Sequence, residues 1–184
     1  FDTWPTPASA CPGTFSLSLV LPNTATASAN GGLWSSPASW ASGVVPNVAS
    51  SVIVPEGTTI TIDQNNLSFI DFTISGTVQW ISNTTTAHSL PVNGNMLINS
   101  GGTYHGIGVG GASTTINLFG NFTNNGYANL SVTSVIFKSP SGCTFDGSGV
   151  FEGGANGRGH VRVMSVEGGG NHIINTSQEL TLHG

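Results

Sequence analysis

Short apolar strands alternate with clusters of glycine and asparagine along most of the chain. The alternation is clearest in residues 94–130, where Gly94-Asn95-Met96 returns as Gly120-Asn121-Phe122 and Asn99-Ser100-Gly101 returns as Asn124-Asn125-Gly126. A repeat of roughly 25 residues made of strands and turn residues is typical of solenoid proteins. The pattern therefore predicts an all-β chain that winds as a single-stranded parallel β-helix (a β-solenoid), with each coil stacked on the one before.

Each predicted coil needs apolar side chains that point inwards and stack on their counterparts in the neighbouring coils. The predicted members of one such column are Ile74, Ile98 and Phe122. Asparagine and glycine tolerate the left-handed backbone of sharp corners, so the predicted corner residues include Asn99, Asn124 and Asn125. The predicted coils span residues 67–81, 90–107, 114–130 and 132–145.

The first thirty residues are predicted to form an irregular N-terminal segment with one strand. Residues 1–13 are rich in proline, Phe15–Leu21 alternates apolar with polar side chains as a strand does, and Asn23–Gly32 has the composition of a flexible connection. The β-helix domain is predicted over residues 31–184. Since the last predicted strand carries no polar cap, we expect the domain to continue in a longer protein.

A tryptophan-containing cap is predicted at residues 31–50, ahead of the first regular coil. Ser36-Pro37 predicts a single helical turn, because serine favours the N-cap and proline the first helical position. Such a turn brings Trp34 close to Trp40. Two short strands are then predicted on either side of the turn Pro55-Glu56-Gly57.

This part of the chain resembles a known kind of module. The segments that carry the resemblance are Trp34–Trp40, Gly43–Asn47 (GVVPN), Val52–Gly57 (VIVPEG) and Thr59–Asp63 (TITID). They are similar to the opening of β-helical, adhesin-like modules in secreted and cell-surface proteins of Bacteroidota, and to the eight-glycine domain of polysaccharide-associated surface proteins. Phe72–Thr77 and Gly120–Gly126 match the coil form that follows in those proteins. The resemblance implies a β-helical surface module.

Charge is sparse on this chain, with three basic and eight acidic residues and a formal net charge of −5. Three basic residues cannot neutralise many phosphates, so nucleic acid is not an expected partner. No apolar run approaches the roughly 20 residues of a membrane-spanning helix. A weakly charged chain rich in serine, threonine, asparagine and glycine is typical of extracellular proteins, and we expect it to be secreted or at the cell surface.

The two cysteines, Cys11 and Cys143, leave two alternatives open. Outside the cell an even number of cysteines permits a disulfide, and a bond closing so long a loop is worth a few kcal/mol in the entropic model. The alternative is a pair of unbonded cysteines, because the sequence does not show whether the two Cα atoms approach each other.

The aromatic residues are the candidate binding residues. Trp34, Trp40, Trp80 and Tyr104 are predicted to form a platform for sugar rings, since an aromatic face offers broad apolar contact. The alternative for the first two is that they plug the N-terminal end of the β-helix, because they precede the first regular coil.

Carboxylates and histidines form no recognised catalytic or metal-binding spacing. Asp63 and Asp71 flank one predicted coil, and Asp146 and Glu152 flank another, with Asp146 in a predicted turn. The sequence therefore predicts no catalytic residue, no metal ligand and no cofactor.

These features favour a non-enzymatic structural or adhesive module, a rigid β-helical spacer that contacts glycans or other protein subunits. A carbohydrate-binding module or a polysaccharide-degrading β-helix enzyme is the alternative, and a filament subunit is a further one, in which the open end of one copy pairs with the next.

Overall fold

The computed structural model describes residues 22–65, 67–81, 87–106, 114–130, 133–152, 163–166, 171 and 173–176. Within these residues parallel strands stack as a β-solenoid of about five turns, with hardly any helix. The predicted all-β parallel β-helix is confirmed. None of the helices in the described part of the chain has the length and apolar character needed to cross a membrane. The predicted strand Phe15–Leu21 lies outside the described residues.

The strands of the described chain form three parallel sheets. The seven-stranded sheet contains, in order, β1 (Asn23–Thr26), β3 (Ser50–Val54), β5 (Phe72–Ile74), β8 (Met96–Ile98), β11 (Phe122–Asn124), β14 (Thr144–Gly147) and β17 (Ile173–Thr176). The six-stranded sheet contains β2 (Gly32–Leu33), β4 (Thr59–Ile62), β6 (Thr77–Trp80), β9 (Thr103–His105), β12 (Tyr127–Asn129) and β15 (Val150–Glu152). The four-stranded sheet contains β7 (His88–Val92), β10 (Thr114–Leu118), β13 (Thr133–Phe137) and β16 (Val163–Val166).

The register of the seven-stranded sheet tests the internal repeat. Met96 pairs with Phe122, so the predicted equivalence of residues 94–96 and 120–122 is confirmed. The second equivalence is wrong by one position, because Asn124 pairs with Ile98, which makes Asn125 the counterpart of Asn99. Beyond this corner the offset between equivalent residues becomes two residues smaller, since Met96 pairs with Phe122 whereas Thr103 pairs with Tyr127. The difference arises because four residues connect β8 to β9, whereas two connect β11 to β12.

Buried side chains from successive coils stack in columns. The predicted column was wrong at Phe122, which lies two positions from the residues it was grouped with. Its column includes Val52, Phe72, Met96, Phe122 and Phe145. The ring centroids of Phe122 and Phe145 lie 4.9 Å apart in an edge-to-face contact. Full burial of each such side chain stabilises the fold by about 1.5–3 kcal/mol.

The position of Asn124 shows that a second prediction is wrong. Asn124 was expected at a turn, yet it is the last residue of β11 and its side chain is fully buried. Its Nδ2 donates to the carbonyl oxygen of Val150 at 3.0 Å, and its Oδ1 accepts from the backbone N–H of Gly126 at 3.1 Å. A buried amide is stable when both of its groups are hydrogen-bonded, and here they tie the corner to the next coil.

Side chains at the entrance to the seven-stranded sheet bond one coil to the next. The carboxylate of Asp71 accepts from the N–H of Asn95 at 2.8 Å, and the amide oxygen of Asn95 accepts from the N–H of Asn121 at 2.9 Å. Asn121 in turn accepts from the N–H of Thr144 at 2.8 Å. Asp71, Asn95 and Asn121, called the corner ladder below, accept hydrogen bonds from backbone N–H groups at or just before the start of a strand in the next coil.

A column of glycines lies at the entrance to the six-stranded sheet, immediately before the strands β6, β9, β12 and β15. Its members are Gly76, Gly102, Gly126 and Gly149. A Cβ at any of them would overlap a backbone carbonyl of the coil below. The close approach of successive coils at this corner therefore requires glycine.

The N-terminal boundary of the solenoid differs from the predicted one. The expected connection Asn23–Gly32 begins with β1, whose Ala25 is buried and pairs with Val52. Small inward alanines lack the strong apolar signal of the later strands, which explains the error. The predicted helical turn is confirmed as a 3-10 helix, Pro37–Ser39, with Pro37 at its start.

Candidate binding surface on the six-stranded sheet

The four aromatic residues predicted to form a sugar platform are buried. Trp34 and Tyr104 are fully buried, and Trp40 and Trp80 expose 2% and 4% of their surface. A sugar ring cannot reach faces that are covered by protein, so the predicted platform is wrong. Its members are internal because they occupy inward positions of their coils.

Trp34 and Trp40 instead fill the interior of the first described coils. Their ring centroids lie 4.9 Å apart, and Trp34 stacks on Phe69 at 5.4 Å. The indole N–H of Trp40 donates to the carbonyl oxygen of Trp34 at 2.9 Å. This is the packing role that the sequence left open for both residues.

Trp80 and Tyr104 form a buried polar contact between neighbouring coils. The indole N–H of Trp80 donates to the hydroxyl of Tyr104 at 3.1 Å. The ring of Trp80 also stacks on the ring of His88, with centroids 4.6 Å apart. A ring nitrogen of His88 contacts Oδ1 of Asn65. Burial raises the pKa of Tyr104 and lowers the pKa of His88, because desolvation disfavours the charged form of each.

Two of the carboxylates serve as acceptors at coil corners. Asp63 accepts from the backbone N–H of Ser35 at 3.0 Å and from its hydroxyl at 2.5 Å. Asp71 accepts from Asn95 as part of the corner ladder. Both carboxylates therefore have structural partners in adjacent coils.

The other pair of carboxylates lies near the C-terminal end of the described solenoid. Asp146, predicted in a turn, lies in strand β14, where its Oδ1 is buried without a hydrogen-bond partner among the described residues. Glu152 is exposed at the end of β15. No group of three His, Cys, Asp or Glu side chains that would hold a metal occurs within the described residues.

Cys143 is a buried thiol whose Sγ lies 3.9 Å from the carbonyl oxygen of Leu118. A disulfide to Cys11, one of the two alternatives that the sequence leaves open, stays a prediction. Cys11 itself lies outside the described residues.

The outer surface of the six-stranded sheet carries a pair of rings that sequence reasoning missed. Tyr127 in β12 and His105 in β9 are both partly exposed, and their ring centroids lie 5.7 Å apart at an interplanar angle of 61°. Tyr127 points outwards because the next residue, Ala128, is the buried one. Ala128 pairs with the buried Tyr104, so a small side chain accompanies a large one in this column.

Neutral side chains surround this pair in the sheet register. Thr103 and Val150 pair with Tyr127 on its two sides, and Gln79 pairs with His105. We call these five residues the Tyr127 patch. Four of its members are partly exposed, and Val150 is 48% exposed. The patch offers an aromatic ring, a branched aliphatic group, an imidazole, an amide and a hydroxyl.

The charge of this sheet is low. Glu152 is the one Asp, Glu, Lys or Arg residue within the six strands as the structure describes them. A partner held mainly by ion pairs therefore has little to bind here, and apolar contact and hydrogen bonds are the available interactions.

Comparison with protein-family models, with curated proteins and with solved structures finds no match for this chain. The residues themselves are therefore the basis for a functional proposal.

Proposed function

We propose that the chain is a non-enzymatic structural or adhesive module of a secreted or cell-surface protein, acting as a rigid β-helical spacer that contacts glycans or other proteins. The observation that carries the proposal is the continuous pairing of the seven-stranded sheet. Its strands follow one another in parallel register from β1 to β17. A sheet that is bonded at every step resists bending more than a string of separate domains does.

The use of polar side chains supports the same proposal. Asp71, Asn95 and Asn121 join backbone groups of successive coils, and Asp63 joins another pair. Carboxylates and amides that are already hydrogen-bonded within the fold are suited to holding coils in place. The resemblance to β-helical surface modules of Bacteroidota agrees with this role and with an extracellular location.

A distance measurement tests the rigidity. Thr24 in β1 and Ile173 in β17 occupy one outward column of the seven-stranded sheet and are exposed. Spin labels on T24C and I173C, with both native cysteines replaced by alanine, should give a narrow distance distribution centred near 29 Å, since six steps of about 4.8 Å separate the strands. A broad distribution, or one that shifts with viscosity, would contradict the spacer role.

A further inference from the structure

We propose that the Tyr127 patch binds a neutral saccharide with β-linked, equatorially substituted pyranose rings. The inference deepens the adhesive role proposed above and rests on it. Tyr127 is an aromatic residue of the six-stranded sheet on its outer, partly exposed surface. The axial hydrogens of such a pyranose form an apolar face, and that face packs against an aromatic ring.

The neighbours of the ring supply the hydrogen bonds that a saccharide needs. Gln79 Nε2 donates to Thr61 Oγ1 at 3.1 Å, and this bond fixes the orientation of the amide. The rings of His105 and Tyr127 are in contact, with centroids 5.7 Å apart at an interplanar angle of 61°, so each ring restricts the other. A flat apolar ring bordered by a few oriented polar groups is the usual composition of a small-molecule site.

The charge of the patch selects a neutral ligand. Its five members include no Asp, Glu, Lys or Arg, and the one such residue in this sheet is Glu152, which is exposed beside it. A polyanionic saccharide would meet a carboxylate and no cation. A neutral saccharide needs no ion pair, which is why we infer this class.

The size of the patch disfavours a protein partner. It covers the four strands β6, β9, β12 and β15, which extend over about 14 Å along the stacking direction. A specific protein interface covers about 800 Å² on each partner, and two short columns of side chains are much smaller than that. An extended saccharide running along the stacking direction meets one strand after another and needs no wider surface.

Isothermal titration with four hexasaccharides tests the proposal. Cellohexaose and chitohexaose are neutral and β-linked, maltohexaose is neutral and α-linked, and hexagalacturonate is acidic. We expect at least one of the two β-linked probes to bind, and maltohexaose and hexagalacturonate to bind more weakly. Y127A should weaken binding about tenfold or more, and Y127W should retain it.

Two variants control for indirect effects. T73A changes an outward side chain of the seven-stranded sheet and should leave binding unchanged. H105A should weaken binding less than Y127A does. Circular dichroism and thermal unfolding of every variant show whether the solenoid is intact, and Y127F provides a second reading if Y127A fails to fold, since it keeps the ring and should keep most of the affinity.

Three titration results would overturn the proposal. They are the failure of both β-linked probes to bind the intact protein, binding that is unchanged in Y127A, and tighter binding of hexagalacturonate. Self-association of the wild type that Y127A abolishes, measured by analytical ultracentrifugation, would assign the patch to a protein contact and overturn it as well. In each case the spin-label distance reports separately on the spacer role.

Discussion

The carboxylate of Asp71 accepts a hydrogen bond from the backbone N–H of Asn95, one coil further along the chain, at 2.8 Å. Its other oxygen accepts from the hydroxyl of Ser51, one coil earlier, at 3.1 Å. One side chain therefore joins three successive coils of the solenoid. Asn95 and Asn121 make the same kind of hydrogen bond to the coils that follow. The corner ladder therefore links successive coils through side chains, in addition to the backbone hydrogen bonds between their strands.

Removing this carboxylate should destabilise the solenoid. D71A leaves the N–H of Asn95 and the hydroxyl of Ser51 without their acceptor, and we expect the free energy of unfolding to fall by about 1–3 kcal/mol. D71N keeps an oxygen in the same place, and its free energy of unfolding should fall by less than half as much. Urea unfolding followed by circular dichroism measures both. Equal losses in D71A and D71N would show that the bond to Asn95 is not what Asp71 contributes.

The buried contact between Trp80 and Tyr104 gives a second prediction. Y104F keeps the aromatic volume but removes the hydroxyl that accepts from the indole N–H of Trp80. A buried donor left without its acceptor costs about 1–3 kcal/mol, so the urea midpoint should fall accordingly. Y127F, which removes a hydroxyl from a partly exposed ring, is the matched control and should change stability by less than about 0.5 kcal/mol. A control that costs as much as Y104F would contradict this assignment.

Much of the fold follows from the alternation of apolar and polar residues. In stretches such as Thr59–Ile62 and Phe72–Ile74 the apolar side chains are the buried ones and the threonines are not, which fixes the orientation of each strand. The spacing of Gly94 and Gly120 likewise predicts the coil length, because both residues precede strands that pair. The local sequence pattern is sufficient here because only one orientation of each strand buries its apolar side chains.

The candidate site was not predictable in the same way. In Tyr127-Ala128-Asn129 a tyrosine and an alanine compete for the inward position, and local pattern favours the larger residue. The structure buries Ala128 because Tyr104 already occupies the adjacent position of that column. The choice depends on the neighbouring coil, about 24 residues away. The same dependence explains why Trp80 and Tyr104 were predicted to be exposed when both are internal.

The burial of His88 beside Trp80 predicts that stability depends on pH. Burial lowers the pKa of His88 below its ordinary value, so at mildly acidic pH the unfolded chain binds more protons than the folded one. Stability should therefore be constant above the unfolded pKa, about 6.5, and fall as pH decreases below it, by up to about 1.4 kcal/mol per pH unit. Urea unfolding between pH 7.5 and 5.5 measures this slope.

Two variants test whether His88 is responsible for this pH dependence of stability. H88Q should reduce the dependence between pH 7.5 and 5.5 because it removes the buried titrating group. H105Q, at a partly exposed position on the outer surface, should preserve it. If the wild type and H88Q show the same slope, another group is responsible and the prediction fails.

The last prediction concerns the glycine column. It separates the cost of steric crowding from the cost of a strained backbone conformation. A Cβ at Gly126 would lie 2.3 Å and 2.4 Å from the carbonyl oxygens of Gly102 and Asn99 in the coil below, and these backbone atoms have little room to move away. G126A should therefore lower the free energy of unfolding by about 3 kcal/mol or more. Gly101 is the matched control: its φ is +86°, but a Cβ there would meet nothing within 4 Å. G101A should cost only the left-handed strain of about 1–2 kcal/mol. Urea midpoints of the two variants give the comparison, and a loss in G126A no larger than that in G101A would mean that the coils can separate at this corner without penalty.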